Sequence, residues 1–340
     1  MVRVLRTAAV LAVAFGFTLA APAPASAQAL KKIKVTIPVP ALTFYPLYVG
    51  RDRGLFAKQG FDVEIIQTSG DGPDVDALIS GSVEFTVSTP NRLFMAYEQG
   101  KPLLAVANLG NRMAIECFMN KEVATKLGVS VDQPLEQRMK ALKGLTVAGT
   151  RPGAFTYLLL VEYAKRFGLE PQKDVKIIGI GGPAAAIPAV ENNQVSVACT
   201  GSPAPEIAVS RGKAVMFTNN INGGDPTYNN FLFELLYVRP EFAKSDADTV
   251  RRMIRGFIDA IAFIHDGPDA DHMAVLKKNF SGAPDDMLLA AMKNMRPIFT
   301  RDARITEESV NKAGRFMLQT GVVSTVPVWT AVASNEFLPR

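Results

Sequence analysis

Few residues of this sequence are of the types that perform covalent chemistry. The chain has two histidines, His265 and His272, and two cysteines, Cys117 and Cys199. No cysteine or carboxylate stands near the histidines at a spacing typical of metal ligands, so we predict surface histidines, no metal and no cofactor. Neither cysteine has a nearby histidine, which argues against a thiol nucleophile. The thiols could form one disulfide in an oxidising compartment, although two buried free thiols are the favoured interpretation.

Two glycine-containing loops have a spacing that could bind anions. Residues 179–183 (GIGGP) resemble a phosphate-binding loop only superficially, because they lack the Lys-Ser/Thr pair and the proline removes a backbone donor. Residues 149–154 (GTRPGA) follow a predicted strand and open a predicted helix, whose free N–H groups carry a positive potential. Arg151 adds a fixed positive charge there. An ordinary capped helix start is the alternative interpretation.

The elements that would position these residues alternate between short strands and helices. This rhythm is typical of a parallel sheet with helices on both faces. The order returns in the second half of the chain, where 174–178 (DVKII) echoes 62–66 (DVEII). We therefore predict two similar α/β lobes, followed after residue 230 by one strand and a mainly helical tail. The predicted elements of the first repeat are, in order, 33–39, 46–53, 61–66, 74–80, 83–88, 90–99 and 103–107.

Ligands of open α/β sheets bind beyond the carboxyl ends of the strands. The residues at those positions can enclose and hydrogen-bond a small molecule, but they contain no acid, base or nucleophile constellation. Glu116 and Glu234 each interrupt an apolar strand, and either could point into the cleft or lie on a solvated face of its strand. The predicted ligand-binding residues are Ala41, Phe44, Tyr45, Ser69, Gly70, Ser88, Thr89, Pro90, Asn108, Arg151, Gly153, Ala154, Thr156, Gly182, Gly201, Ser202, Pro203, Tyr228 and Glu234.

Residues 1–27 have the pattern of a secretory signal peptide. Arg3 and Arg6 precede an apolar run at 10–21, and Ala25-Ser26-Ala27 is typical of a cleavage site. The run is shorter than the roughly 20 residues that span a bilayer, which argues against a membrane anchor. We therefore predict export, with cleavage after Ala27.

Composition narrows the class of protein further. The 340 residues are 48% hydrophobic and 20% charged, which excludes a disordered chain and favours two domains over one. The net charge of +5 comes from scattered Lys and Arg rather than from basic runs, so nothing indicates nucleic-acid binding.

Several stretches resemble the periplasmic substrate-binding proteins of nitrate/sulfonate/taurine-type ABC transporters, which are related to the thiamine-precursor pyrimidine-binding proteins. Together they cover most of the chain after residue 27. Two departures from the family pattern are Glu84, where an Asp is usual, and 193–196 (NQVS), where Gly-x-Val-Asp is common. The stretches that carry the resemblance are 46–64 (PLYVGRDRGLFAKQGFDVE), 77–85 (ALISGSVEF), 142–148 (LKGLTVA) and 168–175 (GLEPQKDV).

The resemblance implies a type II periplasmic-binding-protein fold. Two lobes, each with a mixed but mainly parallel sheet flanked by helices, would be joined by two crossings and close on a ligand like a hinged trap. The hinges would lie near 110–112 and 227–230. Lobe one would comprise 30–112 plus 230–340, and lobe two 113–229. This arrangement would set the strands of Cys117 and Cys199 side by side.

The resemblance also implies a receptor rather than an enzyme. We expect a monomeric periplasmic protein that captures a small polar or anionic organic ligand, of the sulfonate, carboxylate, nitrate or pyrimidine class, and delivers it to a membrane permease. Arg151 would favour an anionic group, and Phe44, Tyr45 and Tyr228 would suit an organic body. One alternative is a pyrimidine-precursor enzyme, although the Cys-rich motif and the histidine of such relatives are missing. A periplasmic sensor subunit is the other.

Overall fold

The computed structural model describes residues 29–68, 70–280 and 283–339. The predicted signal peptide and Ser69 lie outside these ranges. The strands are β1 (Lys31–Ile37), β2 (Phe61–Gln67), β3 (Phe85–Ser88), β4 (Leu104–Arg112), β5 (Ile115–Asn120), β6 (Thr146–Gly149), β7 (Lys176–Gly179), β8 (Val197–Gly201), β9 (Ala214–Met216) and β10 (Asn229–Val238). The helices are α1 (Tyr45–Asp52), α2 (Leu55–Lys58), α3 (Pro73–Ile79), α4 (Pro90–Glu98), α5 (Lys121–Leu127), α6 (Leu135–Lys140), α7 (Phe155–Arg166), α8 (Pro183–Glu191), α9 (Ala204–Ser210), α10 (Pro240–Ser245), α11 (Ala247–Asp266), α12 (Asp269–Asn279), α13 (Asp285–Met295) and α14 (Glu307–Thr320).

The strands form two five-stranded sheets of matching topology. The orders are β2-β1-β3-β10-β4, which defines lobe one, and β7-β6-β8-β5-β9, which defines lobe two. In each sheet one strand, β10 or β5, runs antiparallel to both of its neighbours, while the other pairings are parallel. The predicted pair of mixed, mainly parallel α/β sheets is confirmed.

Apolar residues at helical spacing pack the long helix of the C-terminal part onto lobe one. In α11 the buried side chains include Val250, Ile254, Phe257 and Ile261, which recur on one face. This face lies on α1 and α2. Glycines on α1 and α11 leave room for the ring of Phe56, which a Cβ on either would strike. Helix α11 therefore packs on lobe one, and the residues after β10 are mainly helical, as the sequence predicts.

The chain passes between the sheets twice, and the two passages lie side by side. The first passage is 113–114, between β4 and β5, and the second is 217–228, between β9 and β10. Arg112 pairs with Asn229 across them, and its guanidinium Nη1 donates to the carbonyl of Ile221 at 2.9 Å. The lobe boundaries at 112/113 and 229/230 stay a prediction, because strand order alone does not say which loop residues move with which lobe.

Two side-chain predictions are wrong. Cys117 and Cys199 face each other in the β5–β8 register and form a disulfide, so they are not free thiols. His272 is buried rather than on the surface, with its Nδ1 3.1 Å from the hydroxyl of Tyr45. Its helix α12 packs against α1, which covers the ring. Within the described ranges, no helix is long and apolar enough to cross a membrane.

Candidate functional site

The carboxyl ends of the parallel strands in both sheets face one cavity between the lobes. Lobe one supplies the loop after β1, the loop after β2 and the start of α4. Lobe two supplies the loop before α7 and the end of β8. The lining residues are Pro38, Val39, Ala41, Thr43, Phe44, Gly70, Asp71, Thr89 and Phe233 from lobe one, with Ala114, Ile115, Thr150, Phe155, Thr156, Thr200 and Gly201 from lobe two.

The two lobes touch directly around this cavity. The backbone N–H of Leu42 donates to the carbonyl of Ser202 at 2.9 Å. Gly201 lies so close to Ala41 that a Cβ at position 201 would stand 3.0 Å from the Ala41 methyl carbon. The aromatic ring of Phe155 stacks on Phe316 of α14, with centroids 4.8 Å apart. The cavity is therefore walled by apolar side chains and closed at its edges by contacts between the lobes.

An acid of lobe one occupies the start of helix α7 in lobe two. The N-cap residue, Ala154, offers no side-chain acceptor, and the N–H of Phe155 donates instead to Oδ2 of Asp71 at 3.0 Å. Beside it, the amide of Asn91 donates to the carbonyl of Gly153 at 3.2 Å. Burial raises the pKa of Asp71, while the Phe155 N–H and nearby Arg92 act in the opposite direction.

Arg151 lies at the edge of the cavity rather than inside it. Its guanidinium packs on Gly70, where an added Cβ would come within 2.9 Å of three guanidinium atoms. Gly70 also has φ +111°, which disfavours other residues at that position. The positive charge predicted for an anionic ligand is thus placed next to the Asp71 loop of lobe one, where it acts against the burial that raises the pKa of Asp71.

Glu234 lies on β10 next to Phe233, which lines the cavity, and is fully buried. Its Oε2 accepts a hydrogen bond from the hydroxyl of Thr43, which lines the cavity. Its Oε1 has no hydrogen-bond partner among the described residues. Burial holds the pKa of Glu234 well above its usual range, and the charges of Asp71 and Asp74 act in the same direction. Thr43 thus connects this buried carboxyl to the cavity lining.

The predicted ligand-binding residues divide according to their distance from the cavity. Ser69 lies outside the described residues. Six line the cavity: Ala41, Phe44, Gly70, Thr89, Thr156 and Gly201. Five adjoin it through the contacts described above: Arg151, Gly153, Ala154, Ser202 and Glu234. Three are buried behind it in lobe one: Ser88, Pro90 and Asn108.

The structure does not bring the remaining four to the cavity. The hydroxyl of Tyr45 points at His272 in the lobe-one core. The hydroxyl of Tyr228 donates to Oε2 of Glu162 at 2.5 Å beside the second crossing. Pro203 lines a separate surface groove with Pro183 at the start of α8, and Gly182 directly precedes that helix. Strand-end position alone could not separate these residues from those that line the cavity.

Several lining residues were not among the predicted ones. The most informative is Asp71, which lies four residues after the end of β2 and begins the Asp-Gly-Pro turn that opens α3. A carboxylate in the loop that follows a strand was the signal available for it. Thr43 and Phe233 had weaker signals, because each is one of many similar residues in apolar surroundings. Across residues 29–68, 70–280 and 283–339, no three His, Cys, Asp or Glu side chains are grouped as a metal site.

Comparisons with known proteins agree with this fold. The model of the family described as "NMT1/THI5 like" matches residues 42–271, more than half of the chain. The chain belongs to the NMT1/THI5-like family. No curated protein sequence matches it significantly.

Solved structures share the fold at low identity. The periplasmic nitrate-binding protein NrtA from Synechocystis PCC 6803 is 16% identical, with a TM-score of 0.74 over 91% of this chain and 87% of that one. The periplasmic aliphatic sulphonate binding protein SsuA from Escherichia coli is 16% identical, with a TM-score of 0.68 over 90% and 99%. The desulfurization enzyme DSZB is 15% identical, with a TM-score of 0.57 over 90% and 97%. The periplasmic-binding-protein fold is therefore confirmed, and it also occurs in an enzyme.

Proposed function

We propose that this member of the NMT1/THI5-like family is the extracytoplasmic solute-binding receptor of an ABC importer. The observation that carries the proposal is the cavity between the lobes, whose lining comes from both sheets and whose chemistry is that of binding. Its walls are aromatic and aliphatic, and five threonines supply hydroxyls: Thr43, Thr89, Thr150, Thr156 and Thr200. Such a site encloses a small organic molecule and orients it with a few polar groups.

The receptor role needs the two lobes to move relative to each other. We propose that residues 30–112 with 230–340 form one moving unit and 113–229 the other, hinged at the paired crossings. Ligand capture would favour the closed arrangement, in which Ser202 meets Leu42, and the closed protein would be read by a membrane permease. The leader-like residues 1–27 support delivery to the periplasm.

The ligand is proposed to be a small polar organic molecule with a flat or apolar body. Phe44, Phe155 and Phe233 line the cavity and suit an aromatic or aliphatic skeleton. Thr200 has a buried hydroxyl with no hydrogen-bond partner among the described residues, so it is free to bond a ligand. One oxygen of Glu234 likewise has no partner among the described residues, and its other oxygen bonds Thr43 of the cavity lining.

A ligand screen by thermal shift tests the receptor role. Purified residues 28–340 are mixed with sulfonates, carboxylates, nitrate, amino acids and pyrimidines. A ligand at about 100 times its Kd stabilises the native state by roughly 2.7 kcal/mol, which moves Tm by a few degrees. We expect an organic hit that is weakened in Thr200→Val, a change of the cavity hydroxyl alone. The matched control, Thr125→Val on exposed α5, should bind as the wild type does. A hit that is unaffected by Thr200→Val would place the ligand elsewhere.

An enzyme on this fold is the second candidate, because the same architecture occurs in DSZB. Every hit of the screen is therefore incubated with the protein and analysed for products by mass spectrometry. Recovery of unchanged ligand supports the receptor, and turnover would replace it with an enzyme. A sensor role would use the same cavity and differs in its partner, so pull-down with a permease or with a receptor kinase separates the two.

A further inference from the structure

The start of helix α7 is the strongest anion-binding position that faces the cavity. The helix has twelve residues, and its first N–H groups carry its positive end. Ala154 at the N-cap provides no side-chain acceptor. The position is filled instead by the carboxylate of Asp71, which comes from the other lobe and is itself 9% exposed. A carboxyl of the protein thus occupies the position at which the helix end would stabilise a ligand's anionic group.

The nearby cations are also engaged by the loop that carries Asp71. Arg92 donates through Nη2 to the carbonyl of Asp71 at 2.9 Å. Arg151, from lobe two, packs its guanidinium on the neighbouring Gly70. The lining of the cavity, as far as the described residues form it, contains no Lys or Arg. The positive groups of the site therefore already contact the loop of Asp71, and both act against the burial that raises the pKa of its carboxyl.

We propose that Asp71 acts as a built-in anion that latches the lobes together without ligand and makes the cleft reject anionic ligands in favour of neutral or cationic organic molecules with N–H donors. The charges of Asp71 and Asp74 already raise the pKa of the buried Glu234 carboxyl, so a further anion beside Asp71 would meet a negative potential. The open Oε1 of Glu234 offers an acceptor to an N–H group. The ligand preference rests on the proposed receptor function, whereas the latch does not.

Removal of the carboxylate should open the protein and create a site for external anions. In Asp71→Ala the Phe155 N–H loses its acceptor, so we expect a larger radius of gyration in small-angle scattering than for the wild type. Formate, which carries the deleted group, should restore the compact form. Asp76→Ala removes an exposed carboxylate from the following helix and should leave the scattering unchanged. A variant Asp71→Ala as compact as the wild type would overturn the latch.

Anion binding provides the second readout. Formate, nitrate and methanesulfonate are titrated at constant ionic strength while Tm is recorded. We expect no specific shift for the wild type or Asp76→Ala, and binding at least about tenfold tighter in Asp71→Ala. Should that variant not fold, Asp71→Asn keeps an oxygen for the Phe155 N–H and removes only the charge. It should also gain nitrate binding, and an Asn variant without that gain overturns the proposal.

The outcomes separate the two proposals. Wild-type protein that binds nitrate or methanesulfonate as tightly as the variants do overturns the anion exclusion and leaves the receptor role standing. If formate restores the compact form of Asp71→Ala, the latch is supported. If the ligand screen finds no organic solute, that result counts against the receptor role and leaves the latch standing. Neither readout requires the natural ligand or a permease.

Discussion

Two buried glutamates occupy corresponding strands of the two lobes but have different partners. Glu116 lies on β5 and Glu234 on β10, the strands that run against their neighbours in each sheet. In lobe two, both oxygens of Glu116 accept hydrogen bonds, one from the Thr218 hydroxyl at 2.6 Å and one from the Ile221 N–H at 2.8 Å. In lobe one, Glu234 has the Thr43 hydroxyl on one oxygen and no described partner on the other.

The difference in hydrogen-bond partners shows that a buried glutamate on corresponding strands can have a different role in each lobe. Thr218 and Ile221 belong to the second passage between the sheets, so Glu116 fixes that passage onto lobe two. Glu234 accepts only from Thr43, which lines the cavity. A buried acceptor without a donor costs stability. The ligand role proposed for Glu234 would explain that cost, whereas both oxygens of Glu116 bond the second passage.

The largest change in the free energy of unfolding should come from the disulfide next to Glu116. Cys117 and Cys199 are 82 residues apart and join β5 to β8, whereas lobe one has no such link because the chain has no other cysteines. The double variant Cys117→Ala/Cys199→Ala should lose about 2–5 kcal/mol. Urea titration followed by circular dichroism measures the loss.

The single tryptophan makes this test specific to one lobe. Trp329 lies in the C-terminal segment that bridges to β4 of lobe one. In the double variant, the tryptophan fluorescence should therefore change at a higher urea concentration than the circular dichroism signal, because fluorescence follows lobe one and circular dichroism also follows the destabilised lobe two. Reduced wild type serves as the control and should behave like the double variant. Equal stability of the oxidised and reduced proteins would contradict the expectation.

The same substitution at the two glutamates should have different effects. Glu116→Met keeps the length of the side chain but leaves the Ile221 N–H and the Thr218 hydroxyl without an acceptor, which should cost roughly 2–4 kcal/mol at pH about 5. Glu234→Met leaves only the Thr43 hydroxyl and removes a buried carboxyl, so it should cost under about 1 kcal/mol. Urea unfolding of both variants measures the difference. Equal losses would remove the distinction between a structural and a reserved carboxyl.

Proton binding at Glu116 adds a pH dependence to lobe two. Burial is the main cause that raises its pKa from 4.5 to about 7, although Thr218 and the N–H of Ile221 act against the rise and Glu206 adds to it. The native state therefore holds more protons than the unfolded chain between these values. The free energy of unfolding should fall by up to about 3 kcal/mol as pH rises from about 4.5 to about 7, and level off above.

The Glu116→Met variant isolates this contribution. Asp74, whose pKa burial raises to about 6, produces a slope of the same sign and remains in the variant. The stability gap between wild type and Glu116→Met should consequently narrow as pH rises through this range. A gap that stays constant in urea titrations from pH 4.5 to 8 would show that Glu116 does not change protonation there.

Much of this comparison could be anticipated from sequence and part of it could not. Repeated patterns such as DVEII and DVKII predict two similar lobes because strand and helix periodicities are local properties. Glu116 and Glu234 were both recognised as acids in apolar strands, but their roles depend on partners at 218, 221 and 43, which only the tertiary structure brings together. The bond from Phe155 to Asp71 is likewise invisible in sequence, because it joins two lobes. The disulfide depends on the β5–β8 register in the same way.

The substitution Glu234→Gln should have the smallest effect on the free energy of unfolding but a clear effect on ligand binding. Glu234→Gln keeps the shape of the side chain, and its amide oxygen can still accept from Thr43, so unfolding should change by less than about 0.5 kcal/mol. The amide, however, places N–H donors where the open carboxyl oxygen was, and a ligand N–H would then face a donor. Isothermal titration with the hit of the ligand screen should show about a tenfold or greater weakening in Glu234→Gln.

Glu116→Gln, measured in parallel, should bind as the wild type does because its carboxyl holds the second passage and not the ligand. If the two variants bound equally well, Glu234 would be one more structural acid, and the lobes would differ only in how completely each satisfies it.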